Sequence, residues 1–130
     1  MIRMALHEIV QMSDIPKTLK SSESDNSVLI DTILSRILSV SNPEKIILFG
    51  SYAQGNATKE SDIDILVIMN STLPRHKRSI PIYRILLDVR IPKDILVYTP
   101  EEIESWSFVS SAFVTSALQS GIVLYDKNQK

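Results

Sequence analysis

Cysteine is absent from this chain of 130 residues. Disulfide bonds and thiolate metal sites are therefore excluded. The sequence also lacks any run near the roughly 20 apolar residues that a helix needs to cross a bilayer. Its first residues show neither a long apolar stretch nor the small-residue cleavage site of a secretory leader. We therefore expect a cytoplasmic protein that does not insert into a membrane.

A strong excess of charge of either sign is lacking too, because the formal net charge is -1. That balance does not indicate a long nucleic-acid footprint, so a nucleic-acid partner is not expected, although a local basic patch can still occur. A hydrophobic fraction of 44% with 22% charged residues is typical of globular proteins. The length leaves room for one hydrophobic core, which predicts a single domain.

The N-terminal part of the chain differs in composition from the rest. Between Ser21 and Ser27 every residue is Ser, Glu, Asp or Asn, which is typical of a linker or a flexible loop. We therefore divide the chain into an N-terminal segment, residues 1–26, which is predicted to be partly flexible, and a compact domain, residues 27–130.

The spacing of apolar residues predicts the elements of that domain. Helical spacing predicts an amphipathic helix between Ser27 and Val40, with Asp25, Asn26 or Ser27 as its N-cap. Short apolar runs predict strands at residues 46–49, 63–69, 94–98 and 122–125. Further helices are predicted at residues 73–87, from residue 100 onward, and at residues 111–120. This alternation predicts an α/β (α+β) fold, in which a mixed sheet of three to four strands packs with helices.

Three local signals refine the predicted helices. Pro81 lacks a backbone donor, so it must begin a helix or kink one. Thr99, Pro100 and Glu102 match a capping box, with Thr at the N-cap, Pro at the first helical position and Glu at the third. Gly121 follows the last predicted helix in the C′ position. One helix should therefore begin at Pro100 and another should end before Gly121.

Gly50 and Ser51 directly follow the first predicted strand. Glycine lets the backbone turn sharply and approach a ligand closely. Ser51 adds a hydroxyl and an N–H at the expected start of a short helix, and such groups bind anions. The turn therefore suits a phosphate group.

Two acids, Asp62 and Asp64, open the second predicted strand. Because they lie two residues apart on a strand, their side chains leave the same face, with Cα atoms about 6 to 7 Å apart. An apolar strand has no packing reason to begin in this way, since like charges repel each other and lose hydration. A bound cation resolves that conflict. Mg²⁺ is the natural candidate, because it binds through one or two carboxylates and completes its shell with water and phosphate oxygens.

Asp94 opens the third predicted strand in a similar way. If that strand pairs beside the second, three acids converge. Two metal ions about 3.5 to 4 Å apart can then activate an attacking hydroxyl and stabilise a leaving pyrophosphate. Phosphoryl chemistry of this kind needs positioning and charge neutralisation more than a covalent nucleophile. Asp62, Asp64 and Asp94 are therefore the candidate catalytic and metal-binding residues.

The spacing of these residues, Gly-Ser followed after ten residues by Asp-x-Asp, resembles the signature of the minimal nucleotidyltransferases in the polymerase-β superfamily. The resemblance covers most of the chain and leaves out only the N-terminal segment. It implies a polymerase-β-like nucleotidyltransferase fold in which Gly50 and Ser51 bind the nucleotide. It also implies that Asp62, Asp64 and Asp94 bind two Mg²⁺ ions.

The same resemblance implies an activity and a partner. Such enzymes transfer a nucleoside monophosphate, here expected to be AMP from ATP, to a hydroxyl of an acceptor. Small members often work as antitoxins beside a HEPN-domain toxin and add AMP to a tyrosine of that toxin. We therefore expect ATP as substrate and a HEPN-like toxin as a separate protein partner, with a homodimer as a further option.

Other interpretations stay open. Many relatives have Arg where this chain has Gln54, so a contact to the triphosphate is either missing or supplied elsewhere. The basic cluster at residues 75–78 could supply that contact, face a partner, or form a solvated helix surface. If the nucleotide site is vestigial, the chain could neutralise a partner by occlusion alone. An aminoglycoside-type transferase, which modifies a small molecule, is the second alternative.

Overall fold

The computed structural model describes residues 22–106 and 113–129. The chain divides into two compact units, residues 1–32 and 33–130. The helices are α1 (Ser22–Val40), α2 (Ser51–Gln54), α3 (Arg75–Arg78), α4 (Ile80–Ile85), α5 (Pro100–Trp106) and α6 (Phe113–Ser120). The strands are β1 (Lys45–Phe49), β2 (Ile63–Ile68), β3 (Lys93–Tyr98) and β4 (Ile122–Asp126). Within the described ranges, no helix has the length and apolarity needed to cross a bilayer.

The first helix begins earlier than the sequence predicted. Helix α1 starts at Ser22, so the prediction of an N-cap at Asp25, Asn26 or Ser27 is wrong, and so is that of a linker from Ser22 onward. The physical reason is that Ser, Asp and Asn cost a helix only about 0.5 kcal/mol each relative to Ala, too little to end it. The domain boundary between residues 26 and 27 stays a prediction, and residues 1–21 lie outside the described part of the chain.

The four strands form one sheet in the order β3-β2-β1-β4. Strand β1 runs antiparallel to β2 and β4, whereas β2 and β3 are parallel. The predicted mixed sheet is therefore confirmed. Three consecutive β1 residues, Ile46, Ile47 and Leu48, are at most 2% exposed, so this central strand is covered on both faces.

The connection between the parallel strands contains two short helices instead of one. Parallel neighbours need a crossover, and α3 and α4 provide it. The predicted helix over residues 73–87 is broken at Ser79, and Pro81 is the second residue of α4. A proline there removes no helical hydrogen bond, because the N–H groups of the first turn have no partner within the helix.

One face of the sheet carries both a hydrophobic cluster and the acidic residues. The cluster consists of Ile47, Leu66, Ile68, Tyr98, Val114 and Ala117. Its last two members lie on α6, so this helix packs on that face. Because side chains two residues apart on a strand share a face, Asp64 lies on the same face as Leu66. The helix and the acids therefore occupy the same side of the sheet.

Gly121 separates α6 from β4, but it is not a left-handed helix cap. Among the described residues only Gly50 and Gly55 have positive φ. A Cβ at Gly121 would lie 2.4 Å from the carbonyl oxygen of Ala117 and 2.5 Å from Cγ2 of Ile47. Glycine is needed here because the chain passes close to β1, a long-range contact that the local C′ pattern does not reveal.

Candidate active site

The turn after β1 requires glycine for two independent reasons. Gly50 has φ 78° and ψ −158°, a backbone region that is essentially restricted to glycine. A Cβ at this position would also lie 2.3 Å from Oδ2 of Asp64. The carboxylate of Asp64 therefore lies directly against the backbone of the turn. The Gly-Ser turn and the Asp-x-Asp pair are thus adjacent in the fold.

Ser51 follows this turn as the first residue of α2. The carbonyl oxygen of Gly50 accepts hydrogen bonds from the N–H groups of Ala53 and Gln54, at 3.0 and 3.2 Å. These bonds fix the exit of the chain from the turn, and α2 then ends at Gly55 in the left-handed conformation. Ser51 is half-buried beside the turn, while Gln54 is exposed.

Asp62 is exposed and immediately precedes β2. The loop before it is fixed by a small turn. The Thr58 N–H donates to Oγ of Ser61 at 2.8 Å, and the Ser61 N–H donates to the Thr58 carbonyl at 3.1 Å. The N–H of Ile63 then bonds to the carbonyl of Pro92 at 2.9 Å. Asp62 therefore lies between this turn and the hydrogen bond that joins the first residue of β2 to Pro92, the residue before β3.

Asp94 lies in register with Asp64 across the parallel pair of β2 and β3. Neighbouring strands are about 4.8 Å apart, and residues in register point to the same face. Asp94 is exposed, whereas Asp64 is half-buried. The prediction that the third strand pairs beside the second is therefore confirmed, and the acids of both strands meet at the end of the sheet next to Gly50.

The electrostatics of Asp64 reflect this crowding. Burial raises the pKa of Asp64 above its usual value, and the negative charges of Asp94 and then Asp62 raise it further. The other two candidate acids therefore both act on Asp64. Ionised Asp64 is disfavoured by its surroundings unless positive charge is added there.

The oxygen donors at this position fit Mg²⁺ but do not enclose it. In the described parts of the chain, no cluster of three or more His, Asp or Glu side chains forms a ready-made metal site. Mg²⁺ needs less than that, because it usually binds through one or two carboxylates and takes its other ligands from water and substrate phosphates. The repulsion at Asp64 and the Cβ-free turn beside it are consistent with such a partly open site. The assignment of these acids as metal ligands stays a prediction.

The basic cluster at residues 75–78 lies elsewhere. Arg78 is only 8% exposed, and it donates to the Leu73 carbonyl at 2.9 Å and to Oε1 of Glu102 at 2.8 Å. Arg75 lies 4.9 Å from the centre of the Tyr98 ring and 3.4 Å from Oε2 of Glu102. Tyr98 ends β3 and is four residues from Asp94, about 13 Å along the strand. These two arginines therefore pair with groups at the far end of β3.

The capping box at the start of α5 is confirmed. The Thr99 N–H donates to Oε1 of Glu102 at 2.9 Å, and the Glu102 N–H donates to Oγ1 of Thr99 at 3.2 Å. Hydrogen bonds from Arg78 are the largest cause that lowers the pKa of Glu102, to about 2. No local pattern in the sequence indicates the arginine contact, because it joins residues 24 positions apart.

Tyr83 is a second residue that the sequence analysis did not identify. Its hydroxyl oxygen accepts a hydrogen bond from the N–H of Ile95 at 2.7 Å. Ile95 directly follows Asp94, so this bond lies next to a candidate catalytic acid. A tyrosine within an amphipathic helix gives no local sign of such a contact.

Comparisons with known proteins agree with the geometry. Residues 30–119 match the family model that is described as a nucleotidyltransferase domain. A Methanocaldococcus jannaschii protein, provisionally named a protein adenylyltransferase, is 31% identical over 84 residues, which cover 65% of this chain and 75% of that protein. A second protein of the same organism, with the same provisional name, is 72% identical over 25 residues, or 19% of this chain. The chain spans only 25% of the length of this second relative.

Solved structures show the same architecture. A provisionally named nucleotidyltransferase from Sulfolobus solfataricus superposes with a TM-score of 0.59 at 20% identity, and covers 92% of this chain and 96% of that one. A toxin–antitoxin structure with AMP-PNP gives a TM-score of 0.55 at 23% identity, and covers 76% of this chain and 74% of that one. At these identities the likeness concerns the fold, and it confirms the predicted polymerase-β-like class.

Proposed function

The chain belongs to the nucleotidyltransferase domain family, as one of its minimal members, and we propose that it transfers AMP from ATP to a hydroxyl group of an acceptor. In that reaction the hydroxyl oxygen forms a bond to the α-phosphorus, the bond from that phosphorus to the β-phosphate oxygen breaks, and pyrophosphate leaves. One observation carries the proposal: Asp64 lies against the Gly50 turn and in register with Asp94.

Each residue of the site has a proposed part in this reaction. Asp62 and Asp64 would hold Mg²⁺, and Asp94 would complete the site on the neighbouring strand. When bound, two such ions neutralise the charge of the phosphates and of the leaving pyrophosphate. The Gly50 turn, which has no side chain, lets the triphosphate approach the backbone, and Ser51 orients it. Asp94, which is exposed, would accept the proton of the attacking hydroxyl.

The proposed acceptor is a protein hydroxyl, specifically a tyrosine of a HEPN-like toxin that this chain would neutralise. Two facts support a protein acceptor. Both Methanocaldococcus jannaschii relatives are provisionally named protein adenylyltransferases. One structural neighbour is a toxin–antitoxin structure that contains an ATP analogue.

The test uses the full chain, labelled ATP, Mg²⁺ and the protein encoded by the adjacent reading frame. Label should appear on that protein, and it should disappear with Asp62→Asn or Asp64→Asn. Glu60→Gln is the matched control, because it removes a negative charge from the exposed loop just before Asp62 and should leave labelling unchanged.

Different outcomes separate the alternatives. A neighbour that is inhibited but carries no label would contradict the enzymatic proposal and support neutralisation by occlusion. Label that appears only on an added aminoglycoside would support the nucleotidyltransferase activity and contradict the proposal that the acceptor is a protein.

A further inference from the structure

Among the described strands, β3 forms one edge of the sheet, and β2 pairs with one side of its backbone. The carbonyl oxygens of Pro92 and Tyr98 accept hydrogen bonds from Ile63 and Met69, at 2.9 and 3.0 Å. The even-numbered residues of β3 therefore direct their backbone groups towards β2. Because these groups alternate along a strand, the odd-numbered residues direct theirs towards the open side.

Two side chains from the crossover occupy this open side. Tyr83 accepts the N–H of Ile95 at 2.7 Å, and Arg78 donates through Nη1 to the carbonyl of Val97 at 3.4 Å. Ile95 is only 3% exposed, so its N–H would otherwise have little access to water. A buried backbone donor without a partner is costly, and the Tyr83 hydroxyl removes that cost at the start of β3.

The bond to Tyr83 lies where β3 is most easily displaced. Asp94 is the second residue of this edge strand, and strand ends fray before their centres. Asp94 lies in register with Asp64 on the neighbouring strand, so movement of the β3 backbone at this end changes the distance between the two carboxylates. A hydrogen bond on the open side of β3 restricts that movement.

We propose that Tyr83 is a positioning residue of the transfer reaction: its hydroxyl holds the backbone at Ile95 and thereby keeps the Asp94 carboxylate beside Asp64. This inference rests on the proposed function, because it assumes that Asp94 takes part in catalysis. Tyr83 would act through the backbone N–H of Ile95 and not through the reacting atoms.

Tyr83→Phe removes only the hydroxyl. It should lower kcat for transfer of labelled AMP to the adjacent-frame protein by about fivefold to tenfold, since an unpaired buried N–H loosens the strand without removing the acid. The KM for ATP at saturating Mg²⁺ should change less than about twofold, because the Gly50 turn is intact. Tyr125→Phe is the matched control, as this half-buried tyrosine lies on β4 at the opposite edge of the sheet.

Two further measurements separate positioning from a general loss of stability. Amide hydrogen exchange at Ile95 should become at least about tenfold faster in Tyr83→Phe and stay unchanged in Tyr125→Phe. In an Asp94→Asn background, Tyr83→Phe should have no further effect on kcat, because the residue that it positions is already lost.

An equal loss of kcat with and without Asp94 would overturn the inference, and so would unchanged exchange at Ile95. The failure of the proposed function looks different. If wild type does not transfer AMP, or if Asp62→Asn transfers it normally, the function itself is wrong. If transfer requires Asp62 but Tyr83→Phe behaves like Tyr125→Phe, only the positioning role is wrong.

Discussion

The two ends of strand β3 differ in how the negative charge of the carboxylates there is balanced. At the N-terminal end Asp94 lies beside Asp64, and burial, followed by the like charges of Asp94 and Asp62, raises the pKa of Asp64. At the C-terminal end Glu102 is bonded to Arg78 and to the Thr99 N–H, and its pKa falls to about 2. One end is therefore left with unsatisfied negative charge, while the other is fully compensated within the protein.

This contrast separates binding from folding. A compensated charge pair stabilises the folded chain but offers nothing to a ligand. Crowded carboxylates destabilise the metal-free chain, yet they provide the affinity for a cation that compensates them. We therefore expect substitutions at the first end to affect activity and substitutions at the second end to affect stability.

The largest expected effect tests this separation directly. Asp64→Asn should lower the rate of AMP transfer by about 10²- to 10³-fold, as expected when a group that stabilises charge in the transition state is removed. Glu102→Gln should leave the rate of the folded protein within about twofold, because it lies at the other end of the strand. The measurement is the initial rate with labelled ATP, per mole of folded protein. A comparable loss in both variants would show that the two ends are not independent.

Arg78→Met should have the largest effect on stability. It removes the hydrogen bonds of a guanidinium that is only 8% exposed and leaves the Glu102 carboxylate with one partner fewer, which is expected to lower the free energy of unfolding by about 3 kcal/mol. Arg75→Met is the matched control, because this side chain is 50% exposed and shares the same carboxylate. Its loss should be below about 1 kcal/mol, as for exposed ion pairs. Urea unfolding at pH 7 measures both, and equal losses would contradict the role of burial.

Gly50→Ala should affect both properties at the active-site end. The strained φ and the contact with Asp64 should together lower the free energy of unfolding by about 2 kcal/mol and reduce AMP transfer, because the carboxylate must move. Gly55→Ala is the control: its φ of 79° is also positive, but a Cβ there meets nothing within 4 Å. It should cost about 1 kcal/mol and keep full activity. Equal activity in both variants would show that the close approach of Gly50 to Asp64 is not needed.

At both ends of β3 the sequence predicted local features, the acids and the turn at one end and the capping box at the other, better than it predicted long-range contacts. The acids and the Gly-Ser turn stand out locally, because charge at the start of an apolar strand and glycine at its end are unusual patterns. The Arg78–Glu102 pair and the Tyr83–Ile95 bond join residues 24 and 12 positions apart, and no local pattern specifies such partners. The start of α1 at Ser22 was missed for another reason: polar residues there are compatible with both a helix and a linker.

A smaller effect should appear in the pH dependence of stability. The pKa of Glu102 in the folded protein, about 2, lies below the usual glutamate value of 4.5. Its contribution is therefore fully present above the higher value and is lost as the pH falls towards the lower one. We expect wild type to lose about 1 kcal/mol more than Glu102→Gln across this range, after allowing for solvent screening. The urea concentration at the midpoint of unfolding, measured for both proteins at pH 6 and pH 3, gives the two losses of stability. Equal losses in wild type and Glu102→Gln would contradict the prediction.

The smallest expected effect has the opposite sign. The pKa of Asp64 is raised on folding, so the ionised carboxylate at neutral pH destabilises the metal-free protein, and this penalty disappears as the pH falls below the folded pKa. Asp64→Asn should therefore raise the melting temperature of the metal-free protein at pH 7 by about 2 °C, although it should strongly lower the rate of transfer. Added Mg²⁺ with ATP should reverse the order, because only wild type gains stability from binding them. Thermal melts with EDTA and with Mg²⁺ and ATP test both halves, and a lower melting temperature for Asp64→Asn in EDTA would show that the crowded acids carry no folding penalty.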